Sequence, residues 1–399
     1  MRVGVFLGNS LPEAGGGFTL EREVFRALIK LIGESPDTFV VFSRDENLDT
    51  GNLEFVSIKK SYVAKGISLL YRVAAGAVGK VRHPSRPFRI RGAYDKIVAC
   101  ADVDVVWCLV PYCLTMEIPY LFTVWDLQHQ LQPYFPEVST KDEWNVRERN
   151  YAVPLRRAAV ILTGTQTGKD QIERFYQIPA ERIKVLPLPV PKLQDTVRQA
   201  NQDAGPVLKQ YDIPKGYLLY PAQFWPHKNH AGLFRAIQWL RKEYQMVLPV
   251  VLVGSDQGNL KYIQRLANEL DLSSQVYFLG FVLRTDLLLL YQNAFALIFP
   301  TFFGPDNLPP LEAFASGCPV IASNVAGADE QLGDAALLFD PKSPKQMALA
   351  IKSLYDNPEL RQTLIHRGFE RAAKWSGQDY VRGVFAILRE FEPIRQCWD

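Results

Sequence analysis

Short apolar runs alternate with amphipathic segments along almost the whole chain. Residues 3–8, 39–43, 105–110, 121–124 and 160–163 read as strands buried on both faces. Between them, residues 20–32 and 142–158 carry the apolar spacing of helices. The alternation lapses over residues 191–215, where PKLQDTVRQANQDAGPVLKQYDIPK is polar and holds Pro and Gly. That stretch is either an interdomain linker or a long surface loop. The alternation then restarts. Residues 217–220, 248–254, 276–281, 295–300 and 319–323 read as strands. Residues 230–244, 260–270, 285–293, 309–316, 345–355, 358–375 and 378–391 read as helices. Apolar strands alternating with helices predict an α/β chain of two doubly wound parallel sheets. Each such sheet has a ligand crevice at the carboxyl ends of its strands, and a cleft between two of them favours a ligand.

The chain has 399 residues, with 48% hydrophobic and 22% charged. That composition belongs to a soluble globular protein and excludes disordered, collagen-like and disulfide-scaffold chains. With 45 basic and 42 acidic residues, the net charge of +3 gives no reason to expect nucleic acid as a partner. Cys100, Cys108, Cys113, Cys318 and Cys397 form no CxxC pair and no metal-like spacing. They are expected to be reduced and mostly buried. No apolar run approaches the ~18 residues of a membrane-spanning helix. The opening MRVGVFLG reads as a strand rather than a signal peptide, so a cytoplasmic protein is expected.

Residues 300–323, PTFFGPDNLPPLEAFASGCPVIAS, carry the strongest local signal. A strand ends at Pro300, a glycine-containing loop follows, and Pro309 and Pro310 suit the first turn of a short helix. Asn307 is placed to cap that helix, leaving backbone N–H groups near Asn307 and Leu308 to attract a phosphate. Glu312, expected in the first turn, either binds a sugar diol such as a ribose or simply favours the helix dipole. Gly15, Gly16 and Gly17 follow the first strand. They let backbone N–H groups approach an anion, or they form a mobile turn.

These segments resemble the retaining glycosyltransferases of family four, which have the GT-B fold. The resemblance covers nearly the whole chain and is most specific over residues 217–341. It implies two Rossmann-like domains facing a central cleft: 1–205 for the acceptor, 206–376 for the nucleotide-sugar donor, and a helix at 377–399 crossing back to the first domain. LPPLEAFASGCPV is similar to the family's C-terminal signature, whose second glutamate falls on Glu312. The first falls on Gly304, and Asp306 is the nearby carboxylate. YLLYPAQFWPHKNHAGLFRAI resembles the segment that clamps the donor diphosphate. Its lysine is Lys228, and Gln223 stands at the arginine position. LFTVWDLQHQLQPYFPE resembles the His-Asp segment facing the donor sugar. The pair here is Trp125-Asp126, with His129 four residues on as a hydroxyl contact. Trp125 and His129 also read as a core aromatic and a loop histidine. Thr165, in ILTGTQTGKDQIERF, is implied to face the cleft, and Phe281, Val282 and Leu283 to hold the base through backbone groups.

The resemblance implies a metal-independent, retaining hexosyltransferase with no cofactor. A UDP-sugar would be the donor, UDP-glucose first, and a glycan or lipid-linked saccharide the acceptor, in polysaccharide or cell-envelope biosynthesis. The departures at Gly304, Gln223 and Trp125 motivate a different class: a catalytically silent GT-B protein that binds nucleotide or glycan as a regulatory subunit. An epimerase or phosphorylase shares the architecture. Residues 59–96 hold ten Lys or Arg and one acidic residue, Asp95. They read as a solvated helix face plus loop, or as a basic surface for peripheral contact with the inner face of the cytoplasmic membrane.

Overall fold

The computed structural model describes residues 1–8, 15–58, 94–190 and 205–398. Among these residues the first lobe holds seven parallel strands: β1 (Arg2–Phe6), β2 (Thr38–Ser43), β3 (Glu54–Ser57), β4 (Val105–Cys108), β5 (Tyr120–Thr123), β6 (Val160–Thr163) and β7 (Ile183–Val185). The second lobe holds six: β8 (Leu218–Pro221), β9 (Val250–Val253), β10 (Val276–Gly280), β11 (Ala296–Phe299), β12 (Val320–Ser323) and β13 (Ala336–Phe339). The strand orders are β3-β2-β1-β4-β5-β6-β7 and β10-β9-β8-β11-β12-β13. In each lobe the order reverses beside the first strand, between β1 and β4 and between β8 and β11. The crevice of a doubly wound sheet opens at that point.

The central strands are apolar on both faces because helices cover both faces. Val3, Val5, Val105, Leu121, Leu219, Val251 and Ile298 are fully buried. The edge strands β3 and β7 are short and only partly buried, so their sequences carry no clear strand pattern, while the edge strand β13 is a four-residue apolar run, ALLF. The expected linker is partly helical. Gly205–Gln210 forms a helix of the second lobe, tied down by the Tyr211 hydroxyl donating to Asp286 at 2.9 Å. Residues 191–204 of that stretch lie outside the described residues, as do residues 59–93 of the basic stretch. Cys108 and Cys318 are buried, but Cys113 is half-buried and Cys100 and Cys397 are exposed at helix ends, which corrects the expectation for these thiols. No helix of the described residues is long and apolar enough to cross a membrane.

The helix Gly377–Arg395 leaves the second lobe and packs on the first. Ser376 caps it, and Asp379 returns the bond to the Ser376 amide at 2.8 Å. Its buried face includes Val381, Val384, Phe385 and Leu388, with Phe385 5.6 Å from Phe39. Arg382 pairs with Glu34 at 2.9 Å and Arg395 with Asp104 at 2.8 Å. The Trp375 indole donates to Pro187 O at 2.7 Å just before the helix starts. This strap holds the carboxyl edges of the two sheets face to face. Ser376→Ala removes the cap, which is worth about 1 kcal/mol. It is expected to lower the thermal midpoint by a few degrees in scanning calorimetry, and an unchanged midpoint would show that the strap does not depend on its cap.

Candidate functional site

A cleft of about 1210 Å³ lies between the lobes and draws its walls from both. Its floor is built by the second lobe. Pro226–Lys228 forms a single tight turn, and Asn229 then caps the helix His230–Tyr244 by accepting from the Gly232 amide at 3.1 Å. The Asn229 amide also donates to Pro300 O and Pro341 O, fixing the turn to the end of β11. Lys228 is half-buried, with its ammonium 5.3 Å from the Phe299 ring centre and its carbonyl held by the Tyr220 hydroxyl at 2.6 Å. Burial pushes its pKa down to about 8, against the opposing charges of Asp126 and Glu137. Among the described residues no carboxylate is in ion-pair contact with it, because Asp126 is taken by Arg147 and Glu137 by His227.

The second lobe's wall follows from three strand ends. Phe281, Val282 and Leu283 line the cleft after β10, with Phe281 and Leu283 exposed and Val282 buried. Glu312 lines it from the helix Leu308–Ala315, one turn further in than the sequence placed it. Its carboxylate accepts from the Tyr291 hydroxyl at 3.1 Å; burial raises its pKa and Arg284 opposes the rise. Gln223 accepts from the Trp225 indole at 3.0 Å and donates to Ser255 at 3.1 Å, so it lines the cleft as a braced neutral amide. Asn307 sits at the N-cap position, but its side chain donates to Gly304 O at 2.7 Å instead of capping the helix. The Asn307 N–H is spent on Gln331 Oε1 at 3.0 Å. Since Pro309 and Pro310 have no N–H, only the Leu308 amide is left to meet an anion among the first three helical positions. This corrects the broader phosphate site expected there. Asp306 lines the cleft with one oxygen held by Gln331 at 2.9 Å; burial keeps its carboxyl well above the usual range, and Glu330 adds to the rise.

The opposing wall belongs to the first lobe. Gly15, Gly16 and Gly17 line the cleft where the helix Gly16–Leu31 begins. Trp125 lies directly on this turn. A β-carbon at position 17 would come within 2.7 Å of its ring, so only glycine leaves the indole its place. Asp126 lines the cleft and accepts from Arg147 and from the Gln128 amide, both at 2.9 Å. Two expected contacts are corrected here. His129 is fully buried and does not line the cleft; it stacks on Tyr151 at 5.5 Å and meets Glu148 and Tyr176 at 3.3 and 3.2 Å. A ring packed among core aromatics has no route to a sugar hydroxyl. Thr165 is also buried, and its hydroxyl caps the helix Gln166–Tyr176 by accepting from Gly168 at 3.0 Å. Thr163 and Gly164 line the cleft in its stead.

Several residues join the lobes across the cleft. Glu137 of the first lobe accepts from the His227 amide at 3.0 Å and lies 2.6 Å from His227 Nδ1. Burial lowers the His227 pKa to about 4, with Lys228 adding to the effect, so the ring is neutral. Burial would raise the Glu137 carboxyl, but hydrogen bonds from the His227 ring and nearby amides hold it below the usual range. Glu330 of the second lobe accepts from the Gln166 amide at 2.6 Å, and Gln132 donates to Phe302 O at 3.0 Å. Arg147, Arg284, Glu137 and His227 all line the cleft and escaped the reading of the sequence. Only His227 carried a signal, its place beside Lys228. Among the described residues no group of three or more His, Cys, Asp or Glu side chains is placed to hold a metal ion.

Residues 209–371 match the model of the family described as glycosyl transferases group 1. The O-antigen chain mannosyltransferase B of Escherichia coli is 30% identical over 245 residues, which cover 61% of this chain and 64% of that protein. The serotype-specific mannosyltransferase WbdA of Escherichia coli is 26% identical over 317 residues, 76% of this chain and 39% of that protein. The chain therefore spans less than two thirds of either relative. The crystal structure of Anabaena Alr3699/HepE in complex with UDP and glucose superposes with a TM-score of 0.68 at 14% identity, covering 98% of this chain and 100% of that one. The fold and the site define a two-lobed α/β protein of the GT-B type.

Where the lobes meet, a β-carbon at Gly164 would overlap the Asp306 carboxylate. Gly164→Ala is expected to cost about 1–3 kcal/mol by overpacking, read as a lower thermal midpoint. Adding Asp306→Ala should restore most of the loss. If the double variant melts as low as the single one, the lobes do not meet at this point.

Proposed function

We propose that this protein is a retaining, metal-independent glycosyltransferase that moves a hexose from a nucleoside diphosphate sugar to a glycan or lipid-linked saccharide in cell-envelope polysaccharide synthesis. One observation carries the reading: Lys228, an ammonium with no ionic partner among the described residues, shares a single interlobe cleft with the Glu312 carboxylate. A cation and a diol acceptor lining the same cleft suit a nucleoside diphosphate. The ribose hydroxyls would donate to Glu312, the base would lie between Phe281 and Leu283, and the diphosphate would meet Lys228, the Leu308 amide and the Gly15–Gly17 turn. These groups are in place before reaction, so they favour the charge that builds on the departing diphosphate. In this reading the lysine fills the part a metal would otherwise play. The sugar itself would lie against Trp125, Asp126 and Asp306. The names of the relatives make mannose the sugar to set beside glucose, and the HepE complex supports UDP as the first nucleotide to test against GDP.

Losing a hydrogen bond to a charged group costs about 1.5–3 kcal/mol. Lys228→Ala is accordingly expected to lower turnover at least tenfold, measured as UDP release from UDP-glucose or the matching mannose donor. Near-normal turnover would contradict the assignment. The free lysine loses its proton as pH rises through about 8. Diphosphate affinity should therefore be full below that pH and fall above it, and the fall should vanish in Lys228→Ala. Glu312→Ala is expected to weaken UDP binding in calorimetry by about tenfold, and an unchanged affinity would remove Glu312 from the nucleotide site.

A further inference from the structure

The His227–Glu137 pair is not used by the donor. A carboxylate only accepts hydrogen bonds, so the proton of the neutral His227 ring sits on Nδ1, facing Glu137 Oε1. That leaves Nε2 as a lone-pair acceptor, and among the described residues nothing donates to it. The His227 side chain keeps 11% of its surface exposed, while the Glu137 side chain keeps 5%. The second carboxylate oxygen, Glu137 Oε2, is buried and has no hydrogen-bond partner among the described residues. Both side chains line the cleft, one from each lobe. A buried carboxylate oxygen without a donor is costly, and a ligand hydroxyl removes the cost.

Aromatic rings continue from this pair towards the surface. Phe135 packs on His227 at 6.2 Å and on Phe302 at 6.0 Å, and Tyr134 lies 5.1 Å from Phe135 with 72% of its surface exposed. Of the cations beside this corner, Arg147 is bound to both Asp126 and Glu143, and Lys228, next to His227 in the chain, is the group that the proposed function gives to the donor diphosphate. The corner thus offers acceptors and apolar faces, which suits a donor of neutral hydroxyls and disfavours a phosphate or carboxylate.

The geometry points to His227 and Glu137 as a composite binding site for a hydroxyl of the acceptor saccharide, whose ring lies on the ledge of Tyr134 and Phe135. The inference rests on the reading of the cleft as a sugar-transfer site. It makes the acceptor a neutral sugar at this subsite, and it makes acceptor binding depend on the two lobes being together, because each contributes half of the pair.

The test is saturation-transfer NMR on the full chain with methyl α-mannoside, methyl α-glucoside and α-linked mannobiose, alongside UDP calorimetry. Glu137→Gln keeps an oxygen for Nδ1 but turns Oε2 into a donor, and His227→Ala removes the other acceptor. Each is expected to weaken saccharide binding about tenfold. Tyr134→Ala, at an exposed position that leaves folding intact, should weaken it several-fold with UDP affinity within twofold of the parent. Saccharide binding that is unaltered in Tyr134→Ala and His227→Ala overturns the proposal. So does a parent protein that binds UDP but none of the three sugars. If the sugars bind through His227 while UDP does not bind, the subsite stands and the transferase reading falls.

Discussion

A lysine ammonium held in the floor of a cleft, with no carboxylate in contact among the described residues, is the feature around which the rest is arranged. Removing a cation from water is costly unless something compensates it. Here the usual compensation is withheld. Asp126 is bound to Arg147 and Glu137 to His227, so their charges reach Lys228 only at a distance. The depressed lysine pKa is the mark of that cost. An anionic ligand would relieve it, and for this reason the proposed function places the donor diphosphate against Lys228. The surrounding structure keeps the ammonium from finding another partner. Asn229 fastens the turn to β11, and Tyr220 holds the lysine carbonyl from below.

The cleft exists because two parallel sheets present their carboxyl edges to each other, and several links keep them so. The C-terminal helix is the permanent one: its apolar face is buried on the first lobe, and exposed ion pairs add little beyond orientation. The links across the cleft are of another kind. Glu137 with His227, Glu330 with the Gln166 amide, and Gln132 with Phe302 are polar contacts rather than apolar packing. A site divided in this way needs residues of both lobes. The neutral His227 ring suits this, since a charged imidazolium beside Lys228 would push the floor apart.

Much of the fold was legible along the chain. Strands buried on both faces are apolar throughout, and β1, β2, β4, β8, β9, β11 and β12 announce themselves for that reason. The edge strands β3 and β7 do not, because they are short, partly exposed and mix polar with apolar residues; β13 is the apolar run ALLF, only four residues long. Site residues were legible where chemistry and position coincide in one short segment, as with Lys228 beside its capping asparagine, or Glu312 in its proline-started helix. Where one type serves two ends, the sequence misled. His129 looks like a ligand group and is a core ring among tyrosines; Thr165 looks like a strand-end contact and is a helix cap. Asn307 occupies a capping position and yet bonds the Gly304 carbonyl.

By itself the sequence determined the alternation of strand and helix, the two lobes, and the presence of Lys228 and Glu312 in the segments that follow their strands, where both come to line the cleft. These follow from local spacing and from which residues can be taken out of water. Only the tertiary structure decided which groups confront one another across the cleft: Arg147 on Asp126, Arg284 beside Glu312, and Glu137 against His227, 90 positions away. A hydrogen bond or a Coulomb field acts over a few ångströms whatever the separation along the chain, and no spacing within either lobe records it.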